Sequence, residues 1–295
     1  MARGGLMLAE RSNEAATVPQ CASPRTESFV RDITREIASG GVSFPTSIDA
    51  TLRIRRLVED PESGMDDLAK AVCVEPLLAA KLVRLANSAA LRCAGAPVAD
   101  VRSAVLRVGL ARTRTLSIAV AIDQLVQSRH MIPVMGLARG LWAHSVEVAA
   151  NACVLARRLT RLNPDQALYA GLVHDIGQFY LLSRAADYPD LLESGSELSS
   201  LMFDWHKAVG RAVLESLGTP EAVIAAIDGL ELYGGDFPPA CTGDLLWIAN
   251  GAARAQNPFA ASDAGGLLGE HAAAVDAILT ESAAELDELS GALRA

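Results

Sequence analysis

Apolar residues recur every three to four positions along almost the whole chain, and no stretch of useful length alternates apolar with polar. A period of 3.6 places such residues on one face of a helix, whereas a half-buried strand needs a period of 2. "EPLLAAKLVRLANSAAL" (75–91) and "VRSAVLRVGLARTRTLSIAVAI" (101–122) carry this pattern. The apolar residues, 51% of the chain, are mostly Ala, Leu and Val with only 4% aromatic, which favours helix over sheet. The expected fold is all-α, and 295 residues can bury a sizeable core. Three helix starts stand out: Asn163 before Pro164 and Asp165, Thr219 before Pro220 and Glu221, and Thr242 before Gly243 and Asp244. In each, a short polar side chain can accept from free first-turn amides, and the acid suits the helix dipole. "ELYGGDFPPA" (231–240) reads as a loop, and "SRHMIPVMG" (128–136) as the boundary between two helical halves.

Charge and cysteine usage exclude several classes. A net charge of −9 argues against a nucleic-acid surface, which needs clustered Lys and Arg to displace counterions. The richest basic cluster, "RVGLARTR", spaces Arg107, Arg112 and Arg114 as on the solvated side of a packed helix. Cys21, Cys73, Cys93, Cys153 and Cys241 are odd in number and irregularly spaced, so no disulfide framework is expected. All but Cys21 lie among apolar residues, as small buried hydrophobes do, which suits reduced thiols in a cytoplasmic protein. Residues 1–26 hold no sustained apolar core; they read as a disordered leader, with no signal peptide and no membrane span. Residues 27–127 contain no His, whereas 128–260 hold four of the five, so any metal chemistry belongs to the second half; His271 is expected at the surface.

Three blocks in order, 75–91, 101–122 and "GLVHDIG" (171–177), resemble the HDOD family, bacterial output domains related to the HD phosphohydrolases. The resemblance runs from about Phe44 to about Ala255 and implies one HD-like all-α domain of two packed helical lobes. The expected layout is an HDOD-like domain over 27–260, with an N-terminal lobe at 27–127 and an HD-like lobe at 128–260. Residues 261–295 would form an accessory helical tail, packed on the body or bound to a partner. Asn87-Ser88 stands where a helix should stop, since Asn tolerates the left-handed conformation; Gly109 reads as an architectural break permitting close packing.

In catalytic HD enzymes a metal is held by a first His, a His-Asp pair and a later Asp. By that resemblance His144 matches the first ligand and His174-Asp175 the pair. Neighbours on one helix point about 100° apart, so both reach one ion only over the seam between them. Two imidazoles and a carboxylate suit one divalent transition metal such as Mn, Fe or Zn. The fourth position falls on Asn250, an amide that brings no charge and so weakens the site. His206 matches a further histidine of two-metal relatives, but Leu230 and Glu231 stand where a His-His pair is usual, which argues against a dinuclear centre. A buried polar knot without an ion is the favoured reading of the trio over an occupied metal site. Ser145 follows His144 along the helix and diverges from it, so a Ser-His nucleophile is not supported; Glu147 and Glu231 are candidate acids only beside a cleft. Trp142, Trp205 and Trp247 read as core walls, and Gly177 as a close-packing residue. The expectation is a non-catalytic HDOD-type signal-transduction protein with a vestigial metal site, acting on signalling proteins in trans. A metal-dependent phosphohydrolase or phosphodiesterase is the alternative. A cyclic dinucleotide or other nucleotide ligand finds no support in the residues.

Overall fold

The computed structural model describes residues 24–39, 54, 56, 57, 60, 64–88, 91, 97–230, 237–260 and 269–294. Among them there is no strand, in keeping with the helical period of the sequence. The helices in chain order are α1 (Pro24–Ala38), α2 (Met65–Cys73), α3 (Pro76–Ala86), α4 (Val101–Val108) and α5 (Leu110–Gln127) in the first lobe. The second lobe has α6 (Met135–Leu159), α7 (Pro164–Val173), α8 (Ile176–Ala185), α9 (Pro189–Leu192), α10 (Gly195–Ser216), α11 (Glu221–Asp228) and α12 (Thr242–Gly251), and the tail has α13 (Ala272–Glu281) and α14 (Ala283–Leu293). The expected leader, as far as residue 23, lies outside the described residues, as do Cys21, Cys93, Glu231 and Phe44; from Pro24 the chain is already helical. No described helix is long and apolar enough to cross a membrane.

The two lobes share one continuous core with α6 at its centre. On α6 every residue from Val148 to Ala156 is buried, and most are Ala or Val, so neighbouring helices approach closely. Gly171 makes the α6–α7 crossing possible: a Cβ there would stand 2.7 Å from the Cα of Ala149. Gly177 does the same for α8 and α10, since a Cβ there would meet the His206 carbonyl oxygen at 2.0 Å and the Gly210 amide nitrogen at 2.7 Å. The segment from Arg129 to Val134 is a 3₁₀ turn joining the halves. Trp142 and Trp205 are buried and Trp247 half-buried, as walls of the core.

Several local expectations are corrected. Arg112 and Arg114 are not a solvated face: Arg112 pairs with Asp165 at 2.7 Å, and Arg114 donates to the Gly218 carbonyl at 2.7 Å with its guanidinium over the Tyr169 ring. Both tie α5 to the second lobe, and Arg107 reaches the Ala86 carbonyl at 3.2 Å. A basic residue on a helix flank reads the same whether it meets water or a neighbouring lobe. Asn163 caps α7 as expected, accepting from the amides of Asp165 and Gln166. Thr219 does not cap α11, because its hydroxyl bonds the Tyr169 hydroxyl at 2.8 Å; α12 begins one residue early, with Cys241 Sγ accepting from Asp244 N. Asn87 has φ −98°, not left-handed, and its amide makes paired 2.8 Å bonds to Val98 N and O instead. Gly109 serves conformation (φ +87°) rather than close approach, since nothing lies within 4 Å of where its Cβ would be. Cys153 is buried, but Cys73 and Cys241 are exposed. His271 is half-buried, stacked on Phe237 with ring centroids 4.4 Å apart.

Candidate metal centre

His174 and Asp175 do not sit on one helix. They occupy the break between α7 and α8, with Asp175 as the N-cap residue of α8 at φ −100° and ψ 17°. The break turns both side chains toward one point, so the 100° divergence expected on a continuous helix does not arise. α6 crosses α7 at Gly171 and delivers His144 to the same point. His144, His174 and Asp175 each offer a ligand atom, all within 4.8 Å of one another, and all three side chains are buried. Among the described His, Cys, Asp and Glu residues no other group of three converges in this way.

The imidazoles are fixed by the backbone. His144 Nδ1 lies 2.7 Å from the Ala255 carbonyl and His174 Nδ1 2.7 Å from the Gly171 carbonyl. A carbonyl only accepts, so both Nδ1 atoms carry the proton, and each Nε2 is aimed at the cluster. His174 Nε2 is 3.1 Å and His144 Nε2 3.7 Å from the same oxygen, Asp175 Oδ2. Neither Nε2 finds a well-aligned hydrogen-bond partner, though both are buried. A lone pair on His174 Nε2 facing a carboxylate oxygen is repulsive, so something positive must stand between them: a second imidazole proton or a cation.

The protonation pattern favours the proton on His174. Burial pushes His174 down, but the Asp175 charge overrides it and raises the group above its ordinary value. Burial likewise opposes ionisation of Asp175, yet His174 holds its carboxyl below the usual range. Burial first and then His174 lower His144, against the pull of Asp175 and the Asn250 amide. The Asp175 charge and a proton on His174 therefore favour each other, while His144 is disposed toward its neutral form.

The side expected to supply a fourth ligand is lined by amides. Asn250 on α12 approaches His144 without forming an aligned hydrogen bond. Asn257, which the helical pattern does not flag, donates to Asp175 Oδ2 at 2.8 Å and Gln178 Oε1 at 2.9 Å. Its one sequence signal is the turn-forming pair Asn257-Pro258, and its Oδ1 closes that turn on Phe259 N. Glu147 is not a free acid: its carboxylate accepts from Arg254 N and Ala255 N at 2.9 and 2.8 Å, clamping the carbonyl that orients His144. Ser145 bonds the Leu141 carbonyl within its own helix.

Beside His174 and Asp175 lies a cleft of about 40 Å³, bordered by His206, Lys207, Arg211 and Leu230. His206 lines the cleft but stays outside the trio, its Nδ1 2.9 Å from the Met202 and Phe203 carbonyls. Arg211 is committed to Glu215, Glu221 and Asp228, at 3.2, 2.9 and 2.5 Å, so the carboxylates outweigh its charge there.

Comparison with known proteins places these features. The family profile described as HDOD domain matches residues 44–229. A curated protein of Treponema pallidum (strain Nichols), described only as uncharacterized, is 26% identical over 238 residues, and the match spans 72% of this chain but 43% of that protein. A crystal structure from Shewanella amazonensis SB2B, named provisionally as a metal-dependent phosphohydrolase, superposes with a TM-score of 0.67 at 21% identity, covering 92% of this chain and all of that one. An HDOD domain protein of unknown function from Geobacter sulfurreducens gives 0.55 at 25% identity, covering 89% and 96%.

Proposed function

The chain belongs to the HDOD domain family, and on that footing we propose that it is a non-catalytic signal-transduction module that acts on proteins in trans through its helical surface. The observation that carries this reading is the donor set: the cluster brings one carboxylate, Asp175, beside His144 and His174, and the amides of Asn250 and Asn257 line the remaining approaches. A catalytic ion needs anionic ligands to hold it, and here a single carboxylate does the whole task.

The donor set nevertheless fits a weakly held ion. His144 Nε2, His174 Nε2 and Asp175 Oδ2 are the atoms that would bind Mn, Fe or Zn. Bound there, such an ion would polarise a phosphate ester and lower the pKa of a water. The protein's own contribution would be orientation: Gly171 and Ala255 fix the two imidazole tautomers, Glu147 fixes Ala255, and Asn257 holds Asp175. A metal-dependent phosphohydrolase is therefore the second reading, favoured by the two unpartnered Nε2 atoms. Against it stands the cleft, whose Arg211 is already neutralised by three carboxylates and offers little to a phosphate.

The test is turnover of bis-p-nitrophenyl phosphate with added Mn by unchelated protein, together with elemental analysis of the same sample. The expected result is a rate no higher than that of His174→Ala. Turnover that His174→Ala abolishes would overturn the regulatory reading.

A further inference from the structure

We propose that the seat of the C-terminal helices is a docking groove for an acidic amphipathic helix of a partner protein, and that the chain's own α13–α14 is its displaceable resident. This rests on the regulatory reading above and gives that regulator its contact surface. α14 lies across α3 and α5 of the first lobe and α6 of the second, so its seat spans the lobe junction. The two helices attach through one face, with Val275, Leu279, Leu289, Ala292 and Leu293 buried and Ile278 and Leu286 partly buried beside them, while Ala273, Asp276, Ala277, Glu281, Ala284 and Asp287 are exposed. A terminal segment attached by one face can open locally while the rest of the core stays folded.

Charge defines what the seat accepts. Residues 272–295 carry Asp276, Glu281, Glu285, Asp287 and Glu288 against a single Arg294. In a chain of net charge −9, the seat gathers Lys81, Arg84, Arg157 and Arg158. Arg157 and Arg158 hold Glu285 near the start of α14. At its other end the buried Lys81 Nζ donates to the Leu293 carbonyl at 2.8 Å, and Arg84 donates to the Gly291 carbonyl. Cations at a helix C-terminus meet the negative end of its dipole, so the seat reads helix direction as well as acidity. At the far end Arg294 donates to the Ala143 carbonyl on α6 at 3.4 Å. The tail lies beyond the residues matched to the family profile, which end at 229.

The test uses the full-length chain and a fluorescein-labelled synthetic peptide of residues 272–294, read by fluorescence anisotropy. Leu289→Asp and, as a variant that reverses the partly buried charge facing Arg157 and Arg158 without removing an apolar contact, Glu285→Arg should release the tail and lose its amide hydrogen-exchange protection. Each released protein should bind the peptide about tenfold or more tighter than wild type, a gap of about 1.4 kcal/mol or more. Adding Arg157→Glu should remove that binding. Unchanged protection of 272–293 in Glu285→Arg, or equal peptide affinity in released and wild-type chains, would overturn the proposal. So would dimers formed by tail exchange in light scattering, which would make a second copy the occupant. Phosphodiesterase turnover measured on the same samples would defeat the regulatory reading while leaving the peptide result intact.

Discussion

At the scale of single residues, the HD cluster is governed by one carboxylate shared between two imidazoles. Asp175→Asn removes the charge that holds His174 above its ordinary value, leaving burial opposed only by the Gly171 carbonyl. We expect His174 to fall below its ordinary value in an NMR titration, and urea unfolding to show a loss of about 1–3 kcal/mol for the broken buried pair. Glu147→Ala should release the amides of Arg254 and Ala255 and cost a similar 1–3 kcal/mol, roughly the worth of hydrogen bonds to a charged acceptor. Imidazole resonances of His144 should broaden in that variant, because Ala255 no longer holds its ring. The three residues of the trio were legible in the sequence because their types and spacing follow a family pattern. Asn257 and Glu147 were not, since both act through backbone atoms or a loop that no periodicity predicts.

Among the elements, two crossings and one buried lysine set the limits of tolerance. Gly177→Ala drives a methyl into the His206 carbonyl, and neither backbone can yield without separating α8 from α10. A loss of about 3 kcal/mol or more is expected in thermal unfolding, at the upper end of overpacking costs. Lys81 is buried, and burial lowers it to about 8 against an unfolded value of 10.5, with Asp123 pulling the other way. Between those values the unfolded chain binds the extra proton, so this residue makes stability rise with pH across that window. Lys81→Met should flatten the rise between pH 8 and pH 10 in a series of melting temperatures. Helix caps show how tertiary demands displace local signals: Thr219 has the right chemistry for a cap, yet its hydroxyl is used by Tyr169.

Across the whole molecule, the lobes are joined by a shared core, by Arg112 and Asp165, and by Arg114 and Tyr169. Such coupling predicts one cooperative transition. The three tryptophans all lie in the second lobe, so their fluorescence reports it selectively, whereas far-UV circular dichroism reports every helix. The two urea midpoints should coincide; Arg112→Ala combined with Arg114→Ala should lower both together rather than split them. The sequence by itself determined that the chain is helical and which three side chains could gather around an ion, because helical period and residue type are local properties. Only the tertiary structure decided that Arg112 and Arg114 join lobes instead of facing water, that a helix break aims His174 and Asp175 together, and that amides close the fourth side of the cluster. Those outcomes depend on which surfaces meet, and the same residue has a different partner in water than against a neighbouring helix.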